Sequence, residues 1–241
     1  MIERSSHRLK ARLGALADAV PRGARVADIG SDHGRLPRFL VESGRASHCI
    51  ATECAPGPYR RLRGGVASGL ASGAIETRLG SGIEPLELDD RLDAILVAGM
   101  GGYKILSFVD PPRLAQLGVR RLVLQPQSEW PEVRRTLAER GWPLASERLV
   151  EDRGRLYTVM VATPEAAPTP PPPAFSADEW WLAGPCWIRD GEPLAARFWE
   201  LRRERAQRRL ERVEEAGRVI AEAEIELAER VLATIAQSSV R

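Results

Sequence analysis

The chain has 241 residues, 44% of them hydrophobic and 28% charged, with a formal net charge of +2. That length accommodates one well-buried domain with an appendage, and no run approaches the roughly eighteen apolar residues that span a bilayer. So small a net charge does not by itself announce a nucleic-acid binder.

Between residues 6 and 20, Leu9, Leu13, Leu16 and Val20 recur at helical spacing and predict an amphipathic helix, which PRGA (21–24) stops. ARVADIG (24–30) reads as a buried strand and is followed by a helix over 35–44. A second strand, SHCIATE (47–53), leads into a glycine-weakened helix over 59–70. Third and fourth strands occupy AIETRLG (74–80) and RLDAILVAG (91–99). The fifth is VRRLVLQP (119–126), with a helix over 129–140 behind it. Residues 143–151 and 155–163, separated by DRG, predict a closing antiparallel hairpin. Such alternation describes an open, mostly parallel α/β sheet. Its ligands bind beyond the carboxyl ends of the strands, at the topological switch point. A site is therefore expected in the loops after Ile29, Thr52, Leu79, Ala98 and Gln125.

Six prolines fall within residues 164–173. A semi-extended linker over 164–175 thus divides a domain at 1–163 from a helical one at 176–241. After the aromatic-rich SADEWWLAGPCWI, a charged helical stretch runs from 193 to 237. Leu210, Val213, Gly217, Ile220, Leu227, Val231 and Thr234 follow a three-four spacing there, predicting a helical hairpin or coiled coil with Gly217 as candidate break. The arginine-rich run at 202–209 is a candidate contact for a phosphate backbone. Lys10 and Lys104 are the only lysines, a bias that arginine-rich codon usage explains more simply than RNA binding does. Cys49, Cys54 and Cys186 contain no C-x-x-C pair, which argues against a zinc site and a disulfide framework. With no secretory signal in view, a reducing cytoplasm is expected.

The chemistry concentrates in RVADIGSDHGRLPRF (25–39). A dinucleotide fingerprint counted from Gly30 needs its second glycine at residue 32, where this chain has Asp32. A carboxylate beside a diphosphate is unfavourable, but one facing a sulfonium and an ammonium is favourable. That moves the reading to S-adenosylmethionine. VADIGSDHG aligns with the first motif of class I methyltransferases, with Asp28 as its acidic residue, Gly30 as its first glycine and Gly34 as its last. Glu53 ends the second strand, 23 residues beyond Gly30, and is placed to accept ribose hydroxyls. After the fourth strand, VAGMGGYKI stands where many amino-group methyltransferases carry Asn/Asp-Pro-Pro-aromatic. Gly99, Gly101 and Gly102 leave room for a flat base, and Met100 offers an apolar surface. Helix capping for Asp28, Asp32 and His33, and tight strand–helix packing for the glycines, are the competing structural readings.

ADIGSDHGRLP, VAGMGG, LVLQP and GRLYTVMVA in this order resemble the bacterial tRNA adenine-22 N1-methyltransferase (TrmK) family, from about Leu9 to the end of the chain. The resemblance implies a Rossmann-like class I methyltransferase sheet followed by a C-terminal α-helical coiled-coil domain. It implies methyl transfer from S-adenosylmethionine to N1 of adenine in tRNA. That nitrogen already has a lone pair, so positioning rather than a strong base is expected to dominate. Cofactor contacts are expected from Asp28, Gly30, Ser31, Asp32, His33, Gly34, Glu53, Ser81, Gly82, Ala98 and Gly99. Asp32, Met100 and Gly101 are expected beside the reacting atoms. Gly102, Tyr103, Arg35, Arg61, Arg202, Arg203 and Arg205 are the expected substrate contacts. tRNA is the expected partner, with no metal and no membrane; the oligomeric state stays open, a monomer being preferred.

One departure from the family pattern bears on these expectations. Gly-Asp-Gly after the third strand is here Gly80-Ser81-Gly82, so a hydroxyl replaces a charge-assisted acceptor of the cofactor's adenine amino group, with Glu84 nearby. Two other readings therefore stand beside the first. One is a methyltransferase for another RNA, a small molecule or a protein, with its helices as a dimerisation device. The other is a catalytically weak cofactor-binding scaffold.

Overall fold

A computed structural model of the protein describes residues 11–238. Seven strands form one sheet: β1 (Ala24–Ile29), β2 (Ala46–Glu53), β3 (Ile75–Leu79), β4 (Ala94–Met100), β5 (Arg121–Pro126), β6 (Leu144–Asp152) and β7 (Arg155–Ala162). Their order is β3-β2-β1-β4-β5-β7-β6. The first five pair in parallel, and β7 joins β5 and β6 in antiparallel fashion. The central parallel strands are apolar on both faces because helices cover both; Val26, Ala27 and Ile29 on β1 and all of residues 94–97 on β4 are buried, whereas the edge strand β3 buries only Ile75. Strand order reverses between β1 and β4, which sets the switch point there.

The helices of this first part are α1 (Ala11–Asp18), α2 (Arg35–Glu42), α3 (Pro56–Gly65), α4 (Ala67–Ala71), α5 (Gly102–Leu106), α6 (Pro111–Gln116) and α7 (Trp130–Glu139). On the N-terminal helix Leu16 and, just past it, Val20 are buried as the spacing predicts, while Leu9 lies outside the described residues. The helix expected over 59–70 is two. Val66, fully buried at φ −113° and ψ 16°, leaves helical geometry between α3 and α4.

Four more helices follow the proline-rich segment: α8 (Ala177–Ala183), α9 (Pro185–Asp190), α10 (Ala195–Leu210) and α11 (Glu215–Ser238). The segment itself is fastened to them, since the Trp180 indole donates to the Thr169 carbonyl at 2.8 Å and Phe175 is buried. Phe175, Trp180, Trp199, Leu227 and Val231 share one apolar cluster, while Leu149 of β6 packs with Trp187 and Ala195. The helical part thereby grips the sheet edge.

The α10–α11 turn comes at residues 211–214, upstream of the expected break at Gly217. A Cβ at residue 217 would lie 2.8 Å from the Val213 side chain, so that glycine admits the returning turn. Leu227 and Val231 are buried on the expected seam, but Ile220 is 60% exposed and Ala221 and Ala228 are buried instead. Among the described residues, no helix is long and apolar enough to cross a membrane, and no group of three or more His, Cys, Asp or Glu side chains is placed to hold a metal ion.

Candidate active site

The carboxyl ends of β1, β2 and β4 open on a cleft of about 490 Å³. The turn after β1 forms one wall, and the neighbouring strand holds it in place. The Thr52 carbonyl accepts from the backbone N–H of Gly30 at 3.0 Å and of Ser31 at 3.1 Å, and Glu53 Oε1 accepts from Asp32 N at 2.6 Å. Ser31 Oγ donates back to the Asp28 carbonyl at 2.8 Å. Gly30 has φ +73°, and a Cβ there would stand 2.3 Å from Met100 Cε. Asp32 adopts φ +49°, a left-handed conformation uncommon for a non-glycine residue. Its carboxylate is solvent-facing, 3.6 Å from His33 Nε2 and 3.7 Å from Arg61 Nη2.

Asp28 lies deeper, 4% exposed. Burial pushes its carboxyl up to about 6; the negative charge of Glu53 pushes the same way, and hydrogen bonding from Ser31 opposes both. Thr52 Oγ1, also buried, has no hydrogen-bond partner among the described residues. Three carboxylates at one end of a cleft, one of them desolvated, suit a ligand bearing an ammonium, a sulfonium and ribose hydroxyls. S-adenosylmethionine fits that donor set.

Asp28, Gly30, Ser31, Asp32, His33, Glu53, Ala98 and Gly99 line the cleft, with Met100 and Arg35. Gly34 sits behind the wall, where a Cβ would strike Val66 at 2.3 Å. Ser81 is half-buried on the turn after β3, which is fastened by Gly80 N donating to the Glu53 carbonyl at 2.9 Å. Gly82 lies under the Phe108 ring, 2.2 Å from where its Cβ would be.

The glycines after β4 divide. Gly99 forms a bulge against β5 at φ +77° and faces the cleft. Gly101 lies beside Ser128, outside the lining. Gly102 corrects an expectation: it is buried, it donates to Glu129 Oε2 at 2.9 Å, and a Cβ there would be 2.7 Å from the Ser128 carbonyl. Strand–helix packing, not room for a base, requires that glycine. Tyr103, next to it, is 65% exposed.

Arg202 is a second correction. Its guanidinium lies 5.7 Å from the Trp130 ring of α7, 5.3 Å from the Trp199 ring of its own helix and 3.7 Å from Glu224 of α11, so it is half-buried between these three helices instead of standing free on a solvated face. Arg205 is exposed and Arg203 half-buried. Sequence reasoning missed Arg12 and Gln127, which also line the cleft. Gln127 follows β5, in a loop already marked for attention. Arg12, on α1, donates to Gln125 Oε1 and lies 5.6 Å over the Tyr157 ring; no motif signals it.

Residues 26–237 match the family model described as tRNA (adenine(22)-N(1))-methyltransferase, TrmK. A Bacillus subtilis relative of that description is 36% identical over 155 residues, 64% of this chain and 65% of the relative, so the alignment spans just under two thirds of the relative's length. The crystal structure of the B. subtilis m1A22 tRNA methyltransferase TrmK superposes with TM-score 0.76 at 27% identity, covering 93% of this chain and 99% of that one. Streptococcus pneumoniae Sp1610 in complex with S-adenosyl-L-methionine superposes with TM-score 0.80 at 29% identity, covering 93% and 100%.

Proposed function

The chain belongs to the tRNA (adenine(22)-N(1))-methyltransferase family, and from that premise we propose that it methylates N1 of adenine 22 in tRNA, in the cytoplasm, with S-adenosylmethionine as donor. The observation that carries this reading is the acidic glycine turn: a desolvated Asp28 and a solvent-facing Asp32 beside Glu53 at the switch point. When bound, the cofactor supplies an electrophilic methyl on a sulfonium. Asp28 and Asp32 hold its cationic end and Glu53 its ribose, while Met100 closes the cleft over Gly30. Ser81 takes the place of an adenine-binding aspartate with a neutral hydroxyl. The attacking nitrogen needs no base, so these side chains work by orientation and exclusion of water.

The test is methylation of an unmodified tRNA transcript with labelled cofactor. Label at adenine 22, seen as a primer-extension stop, is expected; label elsewhere, or none, overturns the reading. We assign part of the tRNA contact to the helical segment 176–241, through Arg203 and Arg205, with Arg35 and Arg61 at the cleft mouth. Support comes from the exposure of Arg205 and the position of Arg35 in the cleft wall. Arg205→Ala is expected to weaken transcript binding at unchanged cofactor affinity, and equal binding at moderate salt argues against the assignment.

The raised carboxyl of Asp28 gives a pH signature. Its folded form binds a proton more tightly than the unfolded chain, whose carboxyl titrates near 3.8. The contribution of Asp28 to the stability of the cofactor-free protein therefore falls as pH rises from about 4 to about 6, by an amount on the order of 2–3 kcal/mol, then levels off, while the lowered carboxyls of Asp90 and Glu179 act the opposite way at the acid end. Asp28→Asn is expected to remove that fall and to be the more stable protein at pH 7 in urea denaturation. Cofactor affinity, which favours the carboxylate, is expected to rise over the same interval in the natural protein and to stay flat in the variant. A variant that retains the slope would show that another group titrates.

A further inference from the structure

Beside the cofactor cleft lies a second cavity, of about 290 Å³, between the turn after β5, the start of β7 and α10. Four of its walls are aromatic: Trp130, Tyr157, Trp187 and Phe198. We propose that this cavity receives the target adenine, swung out of the tRNA stack. The proposal rests on the function given above and assigns the side chains that grip the base.

Three observations carry it. The first is continuity. Gln127 lines both cavities, and its backbone N–H donates to the Met100 carbonyl at 2.8 Å, so the aromatic cavity adjoins the end of β4. Arg12, in the cleft wall, lies 5.6 Å over the Tyr157 ring. A volume at the lower limit of ligand pockets suits a ligand of nucleobase size.

The second is the geometry of the rings. Phe198 stands edge-on to Trp130 at 5.3 Å and to Trp187 at 4.9 Å, which makes a fixed corner. Cations brace it, with Arg202 5.7 Å from the Trp130 ring and Arg134 4.5 Å from the Trp187 ring. Unstacked bases are recognised on such aromatic platforms.

The third is an unmet donor. Trp187 is 1% exposed, and its indole N–H has no acceptor among the described residues. A buried donor without an acceptor is costly. Adenine carries ring acceptors at N3 and N7 besides the N1 that is methylated, so one of them can take this hydrogen bond while N1 stays free.

The test uses the full chain with ¹⁵N-labelled tryptophan, and Trp187→Phe assigns the indole signal. Adenosine monophosphate is expected to move that signal and ribose 5-phosphate to leave it in place. An unmodified transcript is expected to move it too, and a transcript with uridine at position 22 is not. Tyr157→Ala is expected to raise KM for the transcript about tenfold, the loss of one base–aromatic stack, with unchanged S-adenosylmethionine affinity. Tyr157→Leu keeps the apolar volume and is expected to show the same rise if the alanine variant fails to fold. An indole signal indifferent to both nucleotide and transcript, a shift that persists with uridine 22, or an unchanged KM overturns the pocket assignment while the natural protein still methylates adenine 22. Failure of the natural protein to methylate the transcript overturns the function itself.

Discussion

Gly65→Ala is expected to weaken S-adenosylmethionine binding by about tenfold, although residue 65 ends α3 outside the cleft. A Cβ there would lie 2.0 Å from the His33 carbonyl oxygen and 3.0 Å from its carbon, and both are backbone atoms of the acidic turn. The turn has little freedom to retreat. Thr52 holds Gly30 and Ser31 on its other side, Glu53 holds Asp32 N, and Asp32 already sits at φ +49°. Overpacking of this kind costs about 1–3 kcal/mol, and about 1.4 kcal/mol is a tenfold change in affinity. Gly64→Ala, one residue away, meets nothing within 4 Å. It is expected to bind cofactor normally and to gain up to about 1 kcal/mol from helix propensity. Calorimetric titration and thermal melting of the two variants side by side check the pair. Equal affinities would show that α3 does not position the turn.

The second large effect lies at the far edge of the sheet. Arg134 of α7 and Glu147 of β6 are fully buried and pair at 2.9 Å. Thr158 Oγ1 donates to the same carboxylate at 2.7 Å, and Arg134 Nη1 donates to the Trp181 carbonyl at 2.5 Å. Glu147→Ala leaves a buried guanidinium without its counter-charge, at a cost of about 3–5 kcal/mol. For a chain of this length that is a fall in Tm of roughly 6–20 °C. Replacing both partners by leucine removes the stranded charge and is expected to recover most of the loss. Urea denaturation of single and double variants checks this; a single variant that loses less than about 1 kcal/mol would show that water reaches the guanidinium.

The sheet is legible in the sequence because parallel strands buried on both faces are near-continuous apolar runs, and each of the seven falls within a few residues of its expected place. Helix breaks are less legible, since packing decides them. The helix over 59–70 breaks at Val66, where Gly64 and Gly65 weaken it without fixing the point of the break, and Gly217 sits inside a helix because Val213 needs the space. The acidic turn can be read from charge alone, because Asp32 stands where a phosphate-binding turn needs glycine. The aromatic cavity cannot. Trp130, Tyr157, Trp187 and Phe198 come from four separate elements, and each alone reads as ordinary core. Arg202 misleads for the same reason: on its helix it belongs to a basic run, and only Trp130 and Glu224 of the facing helices draw it inward beside Trp199.

The Arg134–Glu147 pair also has a consequence for the order in which the chain is made. Synthesis proceeds at about 5–20 residues per second, and N-terminal parts fold first. Arg134 is followed by its carboxylate 13 residues later and by the Trp181 carbonyl 47 residues later. A nascent chain that has just completed β7 therefore holds a guanidinium with its carboxylate in place and its carbonyl acceptor still inside the ribosome. The buried ion pair therefore gains its last acceptor only when α8 emerges, so the edge of the sheet is secured by a segment made after the sheet itself.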